Sequence, residues 1–80
     1  MLELRLSPDQ VVAFDGRVLE IFDVDGASRR FHVDQLEAPE LVDDGRALVF
    51  PAPGIRLDVE REELPAARRL LAALEDAASD

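Results

Sequence analysis

The apolar residues of this chain keep a period of two until about residue 59 and then change to a period near 3.6. That switch limits the fold to a set of short strands followed by one helix, because the two periods describe a pleated strand and an α-helix respectively. Leu2, Leu4 and Leu6 alternate with Glu3 and Arg5, which marks a half-buried strand ended by Ser7-Pro8-Asp9. At the far end of the strand region Ile55, Leu57 and Val59 alternate with Arg56 and Asp58. Between them stand "QVVAF", "RVLEIF", "RRFHV", "ELV" and "RALVF", each bounded by turn residues. About seven strands within residues 2–59, joined by short turns, favour an antiparallel meander.

Three Asp-Gly pairs punctuate this meander, at Asp15-Gly16, Asp25-Gly26 and Asp44-Gly45. The first leaves only two residues between "QVVAF" and "RVLEIF". A two-residue hairpin prefers a type I′ turn with positive φ at both central residues, which Asp-Gly satisfies. That register places Ala13 opposite Val18, Val12 opposite Leu19 and Phe14 opposite Arg17. "RVLEIF" is then apolar on both faces, as in a strand central to a curled or barrel-like sheet. "DQLEAPEL" turns a corner, with Pro39 on an edge or bulge, and Pro51-Ala52-Pro53-Gly54 makes the last turn before "IRLDV".

In "ELPAARRLLAALEDAA" Leu64, Ala67, Leu71, Leu74 and Ala78 recur at helical spacing, with Leu70 beside them. A helix over about residues 64–77 follows. Pro65 suits its first turn, and Glu62 and Glu63 sit well at the positive end of the helix dipole. Glu75 and Asp76 oppose the dipole at the other end, so residues 78–80 are expected to fray. The helix must lay its stripe on the sheet, since nothing else remains to cover it.

Eighty residues suit one domain with a single core and no deep substrate cavity. No cysteine is present, which removes disulfides, zinc–thiolate sites and thiol nucleophiles and fits a reducing cytoplasm. Eighteen acidic residues against nine basic ones, all arginine, give a net charge of −9. Such a surface repels nucleic acid and anionic membranes on average. It serves solubility, or else presents an acidic face to a basic partner. The alternating N-terminus lacks the features of a signal peptide, and no apolar run is long enough to span a membrane. A cytoplasmic location is expected.

"DVDG" resembles part of a calcium loop, but aligning Gly26 to the loop glycine puts Ile21 at the first ligand position and His32 at the twelfth. It therefore reads as a hairpin turn, and no metal or cofactor is expected. His32 is the sole histidine, Ser7, Ser28 and Ser79 fall in turns or the tail, and no nucleophile elbow or phosphate-binding loop exists. No catalytic residue is assigned. Arg29 and Arg30, with Arg17 across the first hairpin and His32 nearby, form the densest basic spot. They either offset carboxylates such as Asp23 and Asp25 or contact an anion or acidic peptide.

The order of elements resembles the pleckstrin-homology-like superfold, in which two antiparallel sheets form a partly open barrel capped by a C-terminal helix. The wording "FDGRVLEI" at 14–21, "RRFHVDQLEAPEL" at 29–41, "ALVFPAPG" at 47–54 and "LPAARRLLAAL" at 64–74 is similar to compact bacterial domains of that type. Such domains often carry a Trp after the middle segment, and this chain has none. Phosphoinositide-binding members cluster basic residues around the first hairpin, where "LSPDQVVAFDGRV" holds one Arg against two Asp, so lipid binding is not carried over. The resemblance implies a binding or interaction module and does not say what is bound. The expected function is a non-catalytic module that binds another protein or a second copy of itself, through an exposed sheet edge or the groove between sheet and helix. The two apolar faces of "RVLEIF" favour self-association through a strand edge. The alternative is an acidic inhibitor or antitoxin-like protein that masks a basic surface.

Overall fold

A computed structural model describes residues 1–52 and 54–78. Pro53, and with it part of the expected 51–54 turn, lies outside the described residues, as do Ser79 and Asp80 of the expected frayed tail. Strands β1 (Leu2–Ser7), β2 (Gln10–Phe14), β3 (Val18–Asp23) and β4 (Ser28–His32) form one antiparallel sheet in sequence order. Strands β5 (Glu40–Val42), β6 (Ala47–Phe50) and β7 (Ile55–Asp58) form a second. Helix α1 (Leu64–Ala78) follows a short 3₁₀ turn over Arg61–Glu63. The fold is thus mainly β, with two sheets of four and three strands and one C-terminal helix.

No strand ladder closes the two sheets into a continuous barrel among the described residues. An isolated backbone bond joins them instead: the Glu60 N–H donates to the Leu6 carbonyl at 2.8 Å, just after the Val59 N–H extends the β6–β7 pairing by donating to the Arg46 carbonyl at 2.7 Å. Gln10 adds a side-chain bridge: its Oε1 accepts from the Asp58 N–H at 3.1 Å, while its Nε2 donates to Asp23 at 3.4 Å.

The first hairpin differs from the expected two-residue turn. Phe14 pairs with Leu19, Ala13 with Glu20 and Val12 with Ile21, so four residues, 15–18, separate the last paired residues of β2 and β3. This register is offset by two residues from the expected one. An even offset preserves which side chains share a face, whereas an odd one would exchange them. Val12, Phe14, Leu19 and Ile21 therefore still point into the core, all buried. On the opposite face of β3, Val18 and Glu20 are half-buried and Phe22 is 38% exposed.

The second hairpin is a turn with a glycine bulge. The Gly26 N–H donates to the Asp23 carbonyl at 3.0 Å, the Asp23 N–H donates to the Ala27 carbonyl at 2.9 Å, and Gly26 has φ +88°. The Asp25 carboxylate accepts from the Ala27 N–H at 2.9 Å. Its oxygens serve the backbone, as an aspartate in a turn commonly does.

Core residues come from both sheets and the helix: Leu6, Leu19, Ile21, Leu48, Phe50, Leu57 and Leu70 are all essentially inaccessible. Burying a leucine side chain to this degree contributes about 1.5–3 kcal/mol. The buried face of α1 is Ala67, Leu70 and Leu74. Leu71 is only half-buried and Ala78 is exposed, so the seated stripe is rotated from the one expected through Leu71 and Ala78. The helix also runs through Ala78, one residue beyond its expected end.

Candidate interaction groove

The four residues singled out in the sequence do not all share one face: Arg30 and His32 lie on one face of β4 and Arg29 on the other. Antiparallel pairing sets Arg29 beside buried Ile21 and Arg30 beside Glu20, which puts the two guanidinium groups on opposite faces of β4. Arg29 lies 3.9 Å from Asp23, and Arg30 lies 3.9 Å from Glu20. Both arginines are exposed and both carboxylates half-buried, and such long pairs near the surface contribute about 0–1 kcal/mol. The Arg17 carbonyl accepts from the Val33 N–H at 2.7 Å, which ties the first hairpin to the segment after β4.

His32 caps that segment. Its Nδ1 accepts from the Asp34 N–H at 3.2 Å, while the Gln35 side chain accepts from the His32 N–H at 2.9 Å. The two bonds form a reciprocal capping box around a single 3₁₀ turn, Val33–Gln35. The Glu37 N–H then donates to the Ala52 carbonyl at 3.0 Å, pinning the chain against the second sheet. Arg17 through its carbonyl, and His32 through its ring nitrogen and its N–H, thus hold the start of the 33–39 segment in place.

That segment and the C-terminal half of α1 enclose a groove of ≈ 290 Å³. Val33, Leu36, Ala38 and Pro39 form one wall, Leu74 and Ala78 the other, and Phe50 lines it from the second sheet. Glu37 and Glu75 stand at its lip. Both are exposed, and neither makes an ion pair among the described residues. The volume lies at the lower limit of small-molecule pockets, so it suits one or two bulky side chains of a partner.

The electrostatics elsewhere are local. Backbone N–H groups of Val18 and Arg17 hold the Asp15 carboxyl below its ordinary value, with a smaller contribution from the Arg17 charge. Arg56 is raised above its ordinary value, first by its hydrogen bond to Asp43 at 2.7 Å. Among the described residues, no three His, Asp or Glu side chains gather in a way that would hold a metal ion. No helix of the described residues is long and apolar enough to cross a membrane.

Sequence reasoning missed Glu37 and Glu75 because each reads alone as a solvated acid. Only the tertiary fold brings the 33–39 segment, β6 and α1 together. The segment's two apolar residues on either side of Glu37-Ala38, Leu36 and Pro39, were the one available hint. No family model matches this chain, and no curated protein or solved structure is significantly similar to it.

Proposed function

We propose that the chain is a non-catalytic protein-interaction module of the pleckstrin-homology-like type, which receives a partner segment in the groove between α1 and residues 33–39. The observation that carries this reading is the apolar groove with two carboxylates at its lip that make no ion pair among the described residues. An apolar anchor flanked by Lys or Arg matches both features: the groove shelters the anchor and the lip attracts the cations. The order of four strands, three strands and a helix supports the superfold assignment. A net charge of −9 argues for a protein partner over nucleic acid or anionic lipid, and the absence of cysteine fits a cytoplasmic setting.

Peptide-display selection against the purified protein tests this. Enriched sequences should combine a bulky apolar residue with a neighbouring Lys or Arg. Titrating them should shift the amide resonances of Val33, Leu36 and Leu74, and Ala78→Trp, which fills the groove, should abolish binding. Selection that enriches nothing, or shifts confined to β4, would refute the reading.

The net charge also favours a second reading, an acidic inhibitor of a basic enzyme or nucleic-acid-binding protein. Binding of that kind should collapse between roughly 50 and 300 mM salt, because screening removes the attraction. Binding through the apolar groove should keep most of its strength over the same range.

A further inference from the structure

The outward face of α1 carries a charge pattern that is complementary to its own reverse. Arg68 and Asp76 lie four residues on either side of Ala72, and Arg69 and Glu75 lie three on either side; all five are exposed. Opposite charges therefore occupy mirrored positions about a small central residue.

The pattern does little for the helix that bears it. Side chains meet along a helix at spacings of three and four residues. Here each arginine stands seven residues before an acid, about 10.5 Å along the axis. Placing acids toward the C-terminus also runs against the helix dipole. Arg68, Arg69 and Glu75 make no ion pair among the described residues.

A second copy of the chain completes the pattern. We propose that α1 forms a two-fold symmetric, antiparallel homodimer with Ala72 on the axis. Arg68 then faces Glu75 of the other copy and Arg69 faces its Asp76, since each pair shares one flank of the seam, and symmetry repeats both contacts. Alanine at the crossing lets the helix axes approach to about 8 Å. This surface is distinct from the floor of the groove and goes beyond the groove reading. The two meet only at Glu75.

The 15-residue helix is only about 22 Å long, so the contact falls short of the roughly 800 Å² per partner of a standard interface. It belongs to the weak, salt-sensitive class. Sedimentation velocity should show a dimer forming as wild-type protein approaches about 1 mM in low salt, and loss of that dimer near 300 mM salt.

Charge exchange provides the decisive test. R68E/R69E and E75R/D76R should each be monomeric alone, with helicity by circular dichroism unchanged. Mixed one to one, they should restore the dimer, because all four contacts are again between opposite charges. The quadruple exchange, with the wild-type composition reversed, should form a homodimer by itself. Non-specific repulsion predicts otherwise: E75R/D76R has a lower net negative charge and would associate more than wild type.

The chain has no cysteine, so Ala72→Cys supplies an independent reading. It should oxidise to a disulfide-linked dimer, and R68E/R69E in the same chain should suppress that product. A strictly monomeric wild type, a dimer indifferent to either double exchange, or a mixture that fails to associate would each overturn the proposal. Loss of groove peptides without loss of the dimer would refute the groove reading and leave this one standing.

Discussion

The first and third Asp-Gly pairs share two letters and reach a hairpin by different physics. At Asp15-Gly16 the side chain builds the turn: Asp15 Oδ1 accepts from the Arg17 and Val18 N–H groups, both at 2.8 Å. Only the glycine there is left-handed, at φ +98°. At Asp44-Gly45 the backbone builds it. Asp43, Asp44 and Gly45 all have positive φ, and the Arg46 N–H donates to the Asp43 carbonyl at 3.2 Å. Positive φ at both central residues with that closing bond is the type I′ arrangement expected for the first pair. Left-handed backbone costs about 1–2 kcal/mol per non-glycine residue. At Asp43 the Arg56 guanidinium holds the side chain at 2.7 Å. An Asp-Gly pair thus marks a corner, while the neighbours decide its geometry.

The surroundings of the two glycines widen the difference. A Cβ at Gly16 meets nothing within 4 Å, whereas one at Gly45 comes within 2.8 Å of Leu64 Cδ1, at the start of α1. Gly45→Ala should therefore have the largest effect, about 2–3 kcal/mol in urea unfolding, from backbone strain plus displacement of Leu64. Adding Leu64→Ala should remove only the contact part of the coupling, which a double-mutant cycle isolates. Gly16→Ala should cost less, about 1–2 kcal/mol, from backbone strain alone. Equal losses at the two glycines would mean that Leu64 yields freely, and the distinction would reduce to conformation.

The same contrast explains how much of the molecule was legible in its sequence. Strand order, the corners and the terminal helix were readable because period and turn residues act locally. Register at Phe14–Leu19 was not, since it depends on which bonds Asp15 makes inside the loop. The seated face of α1 was misplaced because Leu70 and Leu71 are chemically identical, and only packing against β1 and the core selects Leu70. Gln10 gave no signal, although it joins two sheets across 48 residues of chain. A groove between sheet and helix was expected, but its lining was illegible for the same reason: its walls come from segments that no local pattern relates. Arg17, Arg29, Arg30 and His32 drew notice by charge density, which fixes neither face nor partner.

The smallest effect concerns the turn that the Asp15 side chain builds. Its two N–H donors favour the carboxylate over the neutral acid, so its value in the folded state is lowered from 3.8, most by Val18 and then by Arg17. A depressed folded value means that the unfolded chain takes up the proton first. The contribution is thus complete above the ordinary value and is lost as pH falls through the lowered one. Asp15→Asn keeps an oxygen to accept both bonds and removes the charge. At neutral pH the variant should unfold at a slightly lower urea concentration than wild type. Below about pH 4 the two midpoints should converge as the wild-type carboxylate is protonated. A difference that stays constant from pH 7 to pH 2 would show that the charge on Asp15 contributes nothing and that its oxygen's position alone forms the turn. The first Asp-Gly pair would then resemble the third more closely, with geometry the common cause.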